Sequence, residues 1–119
     1  MSNLLDTSLL IKVLREGRFI EGSISVITLI EFLRGISEEK RQKIKKILEE
    51  AYEIIGLDNY VILEYCKLYD ELRKKGEMIG EADLLIVASA KARKLTLMTL
   101  DKGFKKLENL GVKVVVEEV

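Results

Sequence analysis

The stretch "GEADLLIVASA", Gly80 to Ala90, sets two acidic residues in front of an almost unbroken apolar run. From Leu84 onward every residue except Ser89 is apolar, which is typical of a buried helix. Acidic residues are common in the first turn of a helix, because the free N–H groups there carry partial positive charge. Glu81 and Asp83 are therefore either helix caps or functional carboxylates, and the rest of the chain has to separate these explanations.

Length and composition bound both the fold and the chemistry. The chain has 119 residues, of which 48% are hydrophobic, and this predicts one domain over residues 1–119 with a substantial core. It contains no histidine and one cysteine, which excludes an internal disulfide, a Cys/His zinc site and a Ser-His-Asp triad. Catalysis would therefore use carboxylates, hydroxyls, Lys, Arg, Tyr or a metal ion. Cys66 itself is interpreted as a small core residue.

The charge balance narrows the choice of partners. Twenty basic and twenty acidic residues give a formal net charge of zero, so the chain is not broadly basic, as a non-specific nucleic-acid binder would be. The sequence shows no signal-peptide pattern and no apolar run of the ~18 residues that a membrane span requires, so we expect a soluble, cytoplasmic protein. Lys and Glu dominate a charged fraction of 34%, which indicates a thermophilic source.

Strand and helix patterns alternate along the whole chain. Apolar and β-branched runs predict strands at 2–6, 23–28, 53–58, 95–99 and 112–119. Helical periodicity predicts helices at 7–15, 29–35, 37–52, 59–75, 81–93 and 100–111. In helix 37–52 the pattern places Ile44, Ile47, Leu48 and Ala51 on the inner face. The alternation predicts a single α/β domain with a parallel sheet that is covered on both sides.

Three acidic residues stand where ligands of such sheets bind, beyond the carboxyl ends of the strands. Asp6 ends the first strand, Glu31 lies in the first turn of the helix after the second strand, and Asp101 lies two residues past the fourth strand. Each has a structural explanation, because Asp6 and Asp101 could cap the helices that follow them and Thr28 with Glu31 fits a capping box.

Asp83 reaches the same edge by a length argument. The helix 81–93 feeds the strand 95–99 almost directly, and the two rise by similar lengths, ~18 Å and ~17 Å. The helix therefore begins at the edge where the strand ends, level with Asp101. Four carboxylates at one edge repel one another unless a cation lies among them, and Mg²⁺ or Mn²⁺ takes oxygen ligands of this kind. Nearby hydroxyls that could orient water or carboxylates are those of Thr7, Ser8 and Thr99.

Four stretches in this order resemble the motifs of the PIN-domain ribonucleases, and most of all the VapC-type toxins of toxin–antitoxin pairs. They are "LLDTSLLI", "TLIEFLRG", "EADLLIVASA" and "LMTLDKGF". The resemblance implies a five-stranded parallel sheet of order 3-2-1-4-5 in a three-layer α/β/α domain. It also implies a metal-dependent endoribonuclease that leaves a 5′-phosphate and a 3′-hydroxyl. Asp6, Asp83 and Asp101 would hold Mg²⁺ or Mn²⁺, and Glu31 would complete the catalytic set.

Supporting residues and partners follow from the same hypothesis. Glu81 is interpreted as a rim charge or a cap, and the tyrosines at 60, 65 and 69 as core or interface residues. Cations that would offset the acidic pocket toward RNA are Arg34, Lys102, Lys105 and Lys106. The resemblance further implies a homodimer and a cognate antitoxin that places an apolar segment in a groove and an Arg near the acids. Helices 37–52 and 59–75 are the predicted groove and dimer surfaces.

Two other functional classes fit parts of the sequence pattern. A catalytically silent domain of this fold could bind RNA or an antitoxin without cleaving, although four intact acids argue against it. A receiver-type signalling domain would use Asp58 as phosphoacceptor and Thr99 as switch residue. The first strand lacks the acidic pair of such domains, and the fifth strand has no Lys at its carboxyl end.

Overall fold

The computed structural model describes residues 2–117, and these form a parallel sheet covered by helices. The strands are β1 (Asn3–Leu5), β2 (Ser23–Ser25), β3 (Glu53–Ile55), β4 (Thr96–Thr99) and β5 (Val114–Val116). The helices are α1 (Thr7–Arg15), α2 (Val26–Arg34), α3 (Glu38–Ala51), α4 (Asn59–Lys75) and α5 (Glu81–Ala92), and a 3₁₀ helix spans Lys102–Leu110. Within residues 2–117 no helix is long and apolar enough to cross a membrane.

Every pair of neighbouring strands is parallel, as the alternation of strands and helices predicts, and the order β3-β2-β1-β4-β5 is the one that the resemblance implies. The first strand is central, with Leu5 in register with Ile24 of β2 and Met98 of β4. The chain builds outward from β1 to β3 and then returns to the other side for β4 and β5. The direction of winding therefore changes between β1 and β4, the place where parallel sheets bind their ligands.

Two apolar clusters fill the two sides of the sheet. Leu4 packs with the residues of α4, α5 and the 3₁₀ helix, whereas its neighbour Leu5 packs with those of α1, α2 and α3. Successive residues of a strand point to opposite faces, so a strand with two covered faces needs apolar residues at both positions. The apolar run of α5 is buried from Ile86 to Ala90, which confirms the buried-helix interpretation.

The largest departure from the sequence-based boundaries lies at β2 and α2. The strand ends at Ser25, and the helix begins at Val26, three residues earlier than predicted. Ser25 provides the cap, because its hydroxyl accepts a hydrogen bond from the N–H of Ile27 at 3.0 Å. The capping box is therefore wrong, since Thr28 already lies inside the helix and Glu31 lies beyond its first turn.

Other predicted boundaries and burials also change. The third and fifth strands are shorter than predicted, and residues 118–119 of the predicted fifth strand lie outside the described range. The segment predicted as an α-helix at 100–111 is a 3₁₀ helix. On α3, Leu48 is buried but Ile47 and Ala51 are exposed, because the helix contacts the domain along a narrow stripe. Cys66 is exposed, so its assignment to the core is wrong.

Candidate active site

Asp6 lies at the carboxyl end of β1, where it is only 5% exposed. Its Oδ1 accepts a hydrogen bond from the N–H of Leu9 at 3.0 Å, and its Oδ2 accepts one from the Thr99 hydroxyl at 2.5 Å. Burial nevertheless raises the pKa of Asp6, and the nearby charges of Asp83 and Asp101 raise it further. Asp6 is therefore a helix cap and, at the same time, a carboxylate that is costly to ionise.

Thr99 connects Asp6 to Asp101. While its hydroxyl donates to Asp6, its oxygen accepts a hydrogen bond from the backbone N–H of Asp101 at 3.0 Å. Asp101 caps the 3₁₀ helix, since its Oδ1 accepts from the N–H of Gly103 at 2.8 Å. Because Thr99 is fully buried at the end of β4, it fixes the position of the chain at which Asp101 leaves the sheet.

Asp83 and Glu31 complete the group of acids. The pKa of Asp83 is raised, first by loss of hydration at this edge and then by the charges of Glu31 and Asp101. Glu31 is half-buried on α2, and its Oε1 accepts a hydrogen bond from the Thr7 hydroxyl at 2.6 Å. The structure therefore brings the four predicted acids into electrostatic contact, although α2 begins earlier than the sequence suggests.

No cation offsets these acids in the part of the chain that the structure describes. Within residues 2–117, none of the four carboxylates forms an ion pair with Lys or Arg. Over the same range, no three acidic or cysteine side chains are drawn together into a set that could hold a metal ion. The donor chemistry nevertheless fits an oxygen-preferring divalent cation, because the site offers carboxylates whose mutual repulsion such an ion would relieve.

Glu81 belongs to a different surface from Asp83. It accepts a hydrogen bond from the hydroxyl of Tyr65 on α4, and this bond raises the pKa of Tyr65 to about 12. The two acids of the "GEAD" stretch thus point to different neighbours, although only one residue separates them. Glu81 lies at the α4–α5 contact, whereas Asp83 lies with Glu31 and Asp101.

The other predicted supporting residues differ in what they contact. Thr7 reaches Glu31, whereas Ser8 is exposed and no side-chain hydrogen bond involves it within residues 2–117. Lys105 donates to the carbonyl oxygen of Val114 at 3.1 Å and pairs with Glu108 at 3.5 Å, so its ammonium already has two partners. All four predicted RNA-binding cations are exposed, and Arg34, Lys102 and Lys106 form no ion pair within residues 2–117.

A groove of about 420 Å³ beside Glu31 was not anticipated from the sequence. It runs between α1 and α2, and Glu31 and Arg15 supply its charged lining. The remaining lining residues are Ile11, Leu14, Phe32, Gly35 and Ile36. Neither of the predicted groove helices, α3 and α4, contributes a residue to it. Helical spacing could have suggested this surface, because Leu14 and Arg15 both lie one turn after Ile11 on α1.

The receiver-type alternative does not match the observed structure. Its sheet would have the order 2-1-3-4-5, whereas this sheet has the order 3-2-1-4-5. Asp58, its proposed phosphoacceptor, caps α4 through the N–H of Val61 at 3.1 Å and forms an ion pair with Arg93. Thr99, its proposed switch residue, donates a hydrogen bond to Asp6. Asp58 and Thr99 therefore belong to different parts of the molecule.

Comparison with known proteins supports the resemblance to PIN-domain proteins. The PIN domain family model matches residues 4–110. The chain is 38% identical to Ribonuclease VapC1 of Methanocaldococcus jannaschii over 93% of this chain and 85% of that protein. The structure of VapBC2 from Rickettsia felis bound to a promoter DNA fragment matches with a TM-score of 0.77 and 28% identity, over 99% of this chain and 100% of that chain.

A further solved structure, VapBC-1 from nontypeable Haemophilus influenzae, has a TM-score of 0.80 and covers 98% of both chains. At 22% identity it supports the fold alone. A parallel sheet of order 3-2-1-4-5 with acids at its switch point defines an α/β domain of the PIN type. The chain belongs to the PIN-domain family, and the match extends over most of its length.

Proposed function

We propose that this protein is a metal-dependent endoribonuclease whose catalytic residues are Asp6, Glu31, Asp83 and Asp101. One observation carries the proposal. Four carboxylates from four different segments share one sheet edge, where the pKa values of Asp6 and Asp83 are raised by burial and by neighbouring acids. A fold keeps such an arrangement at a cost in stability, and a bound cation would offset that cost. The similarity to proteins named Ribonuclease VapC supports RNA as the substrate.

The roles of the side chains follow from their contacts. Asp6, Asp83 and Asp101 would hold Mg²⁺ or Mn²⁺, since hard divalent cations take carboxylate oxygens. Such an ion, when bound, supplies activated water and neutralises charge on the phosphodiester. Asp6 is held by two hydrogen bonds and thus provides a fixed position at the edge. Glu31 accepts the proton of the attacking water, which suits a half-buried carboxylate beside the other three.

An antitoxin partner is the second part of the proposal. Solved structures that resemble this chain are VapBC complexes, and the groove between α1 and α2 is apolar with Glu31 in its wall. An apolar antitoxin segment in this groove would bring an Arg to the unpaired acids, where charge-assisted hydrogen bonds form. The protein would then be the toxin of a toxin–antitoxin pair, acting on RNA in the cytoplasm.

The outer surface of α4 is the proposed homodimer face. Several large apolar side chains stand exposed on it, including Tyr60 at 70% and Leu63 at 60%. Ile62 and Tyr69 are also exposed, on the other side of the helix from Tyr60. Exposed apolar patches of this kind are typical of association sites. The exposure of Tyr60 also shows that this residue is not part of the core.

RNA cleavage with and without metal tests the catalytic proposal. The purified protein should cut a structured RNA when Mg²⁺ or Mn²⁺ is present, leaving 5′-phosphate ends, and should stop when EDTA is added. Asp6→Asn, Asp83→Asn and Asp101→Asn should each abolish cleavage, and the losses should not add because each variant disables the same unit. Cleavage that continues in EDTA would overturn the metal-dependent mechanism. RNA binding without cleavage by the wild-type protein would identify a silent binding domain instead.

A further inference from the structure

Two threonine hydroxyls form a chain behind Glu31. Thr7, the first residue of α1, places its Oγ1 2.6 Å from Glu31 Oε1 and 3.1 Å from the Oγ1 of Thr28. Thr28 lies in the first turn of α2 and is fully buried. The early start of α2 is what makes this contact possible, because capping by Ser25 leaves the Thr28 side chain one helical turn from Glu31 and facing α1.

Proton counting fixes the direction of this chain. A carboxylate only accepts hydrogen bonds, so the single hydroxyl proton of Thr7 goes to Glu31. The Thr7 oxygen then accepts the proton of Thr28, which completes an ordered series from Thr28 through Thr7 to Glu31. The bond to the carboxylate is charge-assisted and therefore the stronger of the two. It occupies Oε1 and leaves Oε2 of Glu31 available to water or a cation.

Glu31 needs such a restraint because its neighbours repel it. Glu31 lies near enough to Asp83 to raise the pKa of that residue, and within residues 2–117 no Lys or Arg pairs with it. A glutamate side chain has several rotatable bonds and loses substantial entropy when it is fixed. Repulsion and entropy would both turn an unrestrained Glu31 carboxylate away from the other acids.

We propose that Thr7 and Thr28 are positioning residues, which hold the Glu31 carboxylate by Oε1 so that its second oxygen serves the acidic site. This inference rests on the proposed nuclease function, which assigns Glu31 its role as proton acceptor. The alternative is a purely structural role, in which the Thr7–Thr28 contact only ties α1 to α2. The two roles differ in whether the effect of Thr7 depends on the presence of Glu31.

Isosteric replacement of Thr7 tests the role directly. Thr7→Val removes the donor and keeps the shape, and kcat for RNA cleavage should fall roughly 10- to 100-fold, the usual loss when a residue that orients a ligand is removed. KM should stay within about twofold, because substrate binding does not use this hydroxyl. Thr7→Ser restores the donor and should recover most of kcat. Thr96→Val makes the same substitution at a half-buried threonine at the start of β4, and it should have no effect.

A double-mutant cycle separates positioning from structure. In a Glu31→Ala background, Thr7→Val should cause no further loss of kcat, because the group that it positions is absent. An equal loss in both backgrounds would overturn the proposal, and so would a wild-type kcat for Thr7→Val. A kcat loss that only matches a smaller folded fraction in thermal unfolding would assign the hydroxyl to structure. If Thr7→Val does not fold, Thr28→Val is measured against the same criteria.

A crystallographic readout keeps the inference independent of activity. In metal-free crystals, Glu31 should adopt one orientation in the wild-type protein, in Thr7→Ser and in Thr96→Val. It should spread over several rotamers in Thr7→Val. An ordered Glu31 in Thr7→Val would overturn the positioning role even if cleavage were impaired. If the wild-type protein cuts no RNA, the nuclease proposal fails, while the orientation of Glu31 still decides the role of the two threonines.

Discussion

The acids at the carboxyl edge of the sheet and the acids on the α4–α5 surface are the same chemical groups in opposite electrostatic settings. At the edge, burial raises the pKa values of Asp6 and Asp83, and the neighbouring carboxylates raise them further. On the α4–α5 surface three acids have a partner: Asp58 pairs with Arg93, Glu64 forms an ion pair with Lys91 at 3.3 Å, and Glu81 accepts a hydrogen bond from the Tyr65 hydroxyl. The hydrogen bond from Arg93 lowers the pKa of Asp58.

The contrast separates acids whose negative charge is stabilised by a partner from acids whose negative charge is costly in the folded state. A paired surface acid is compatible with the folded state by itself, whereas a group of unpaired acids favours whatever brings positive charge to it. The difference also answers the question raised by the "GEAD" stretch. Glu81 is a partner of Tyr65, and Asp83 is a member of the acidic site, so position in the first helical turn does not determine the role of either residue.

The prediction with the largest expected effect compares RNA cleavage by variants of the two neighbouring acids of α5. Asp83→Asn should reduce kcat by a factor on the order of 10³ or more, since charge stabilisation at a reacting centre is worth at least 10² to 10³. Glu81→Gln removes a charge of the same sign two positions earlier, and it should leave kcat within about threefold, the change expected of a group outside the transition state. Equal losses in the two variants would contradict the separation of the two surfaces.

Stabilisation by a metal ion should depend on the acids of the sheet edge and not on those of the α4–α5 surface. Mn²⁺ at 100 times its dissociation constant should raise the free energy of unfolding by about 2.7 kcal/mol, because the ion binds only the folded chain. Thermal unfolding with and without Mn²⁺ measures this increase. Asp83→Asn should abolish most of it, whereas Asp58→Asn should retain it in full. A response to Mn²⁺ that survives in Asp83→Asn would place the ion elsewhere on the molecule.

The smallest expected effect is on the free energy of unfolding without metal. Removing an acid should change this energy in opposite directions in the two regions. Removing the charge of Asp83 should stabilise the fold by a few tenths to about 1 kcal/mol, since water screens this exposed group. Asp58→Asn should destabilise it, because Asn keeps the helix cap but loses the ion pair with Arg93. Urea unfolding of both variants in EDTA at neutral pH measures the two differences.

The pH dependence of these differences provides the control. The pKa of Asp83 in the folded state lies above its ordinary value of 3.8, so ionised Asp83 destabilises the fold as pH rises through that pKa. The benefit of Asp83→Asn should therefore be present at neutral pH and vanish as the pH falls toward 3.8. The pKa of Asp58 is lowered, so its stabilisation should persist to lower pH and disappear only below that pKa. If the effect of Asp58→Asn disappeared at a higher pH than that of Asp83→Asn, the electrostatic environments assigned to the two residues would be refuted.

The sequence by itself determined the alternation of strands and helices and the edge at which the acids meet. Apolar runs that suit burial on both sides indicate where β1, β4 and α5 lie. The similar rise of α5 and β4 brings Asp83 beside Asp101. Asp6 and Asp101 are also recognisable as caps, and the structure shows both capping bonds. These features are local or follow from chain geometry, so one sequence is sufficient to infer them.

Tertiary structure decided which of several competent residues is used and where each side chain points. Both Ser25 and Thr28 could cap α2, and the contact of Thr28 with Thr7 on α1 accompanies the choice of Ser25. Glu81 finds Tyr65 only because α4 packs against α5. Local propensity differs by fractions of a kcal/mol between such residues, whereas packing and hydrogen bonding between distant segments contribute more, so their outcome depends on the assembled fold.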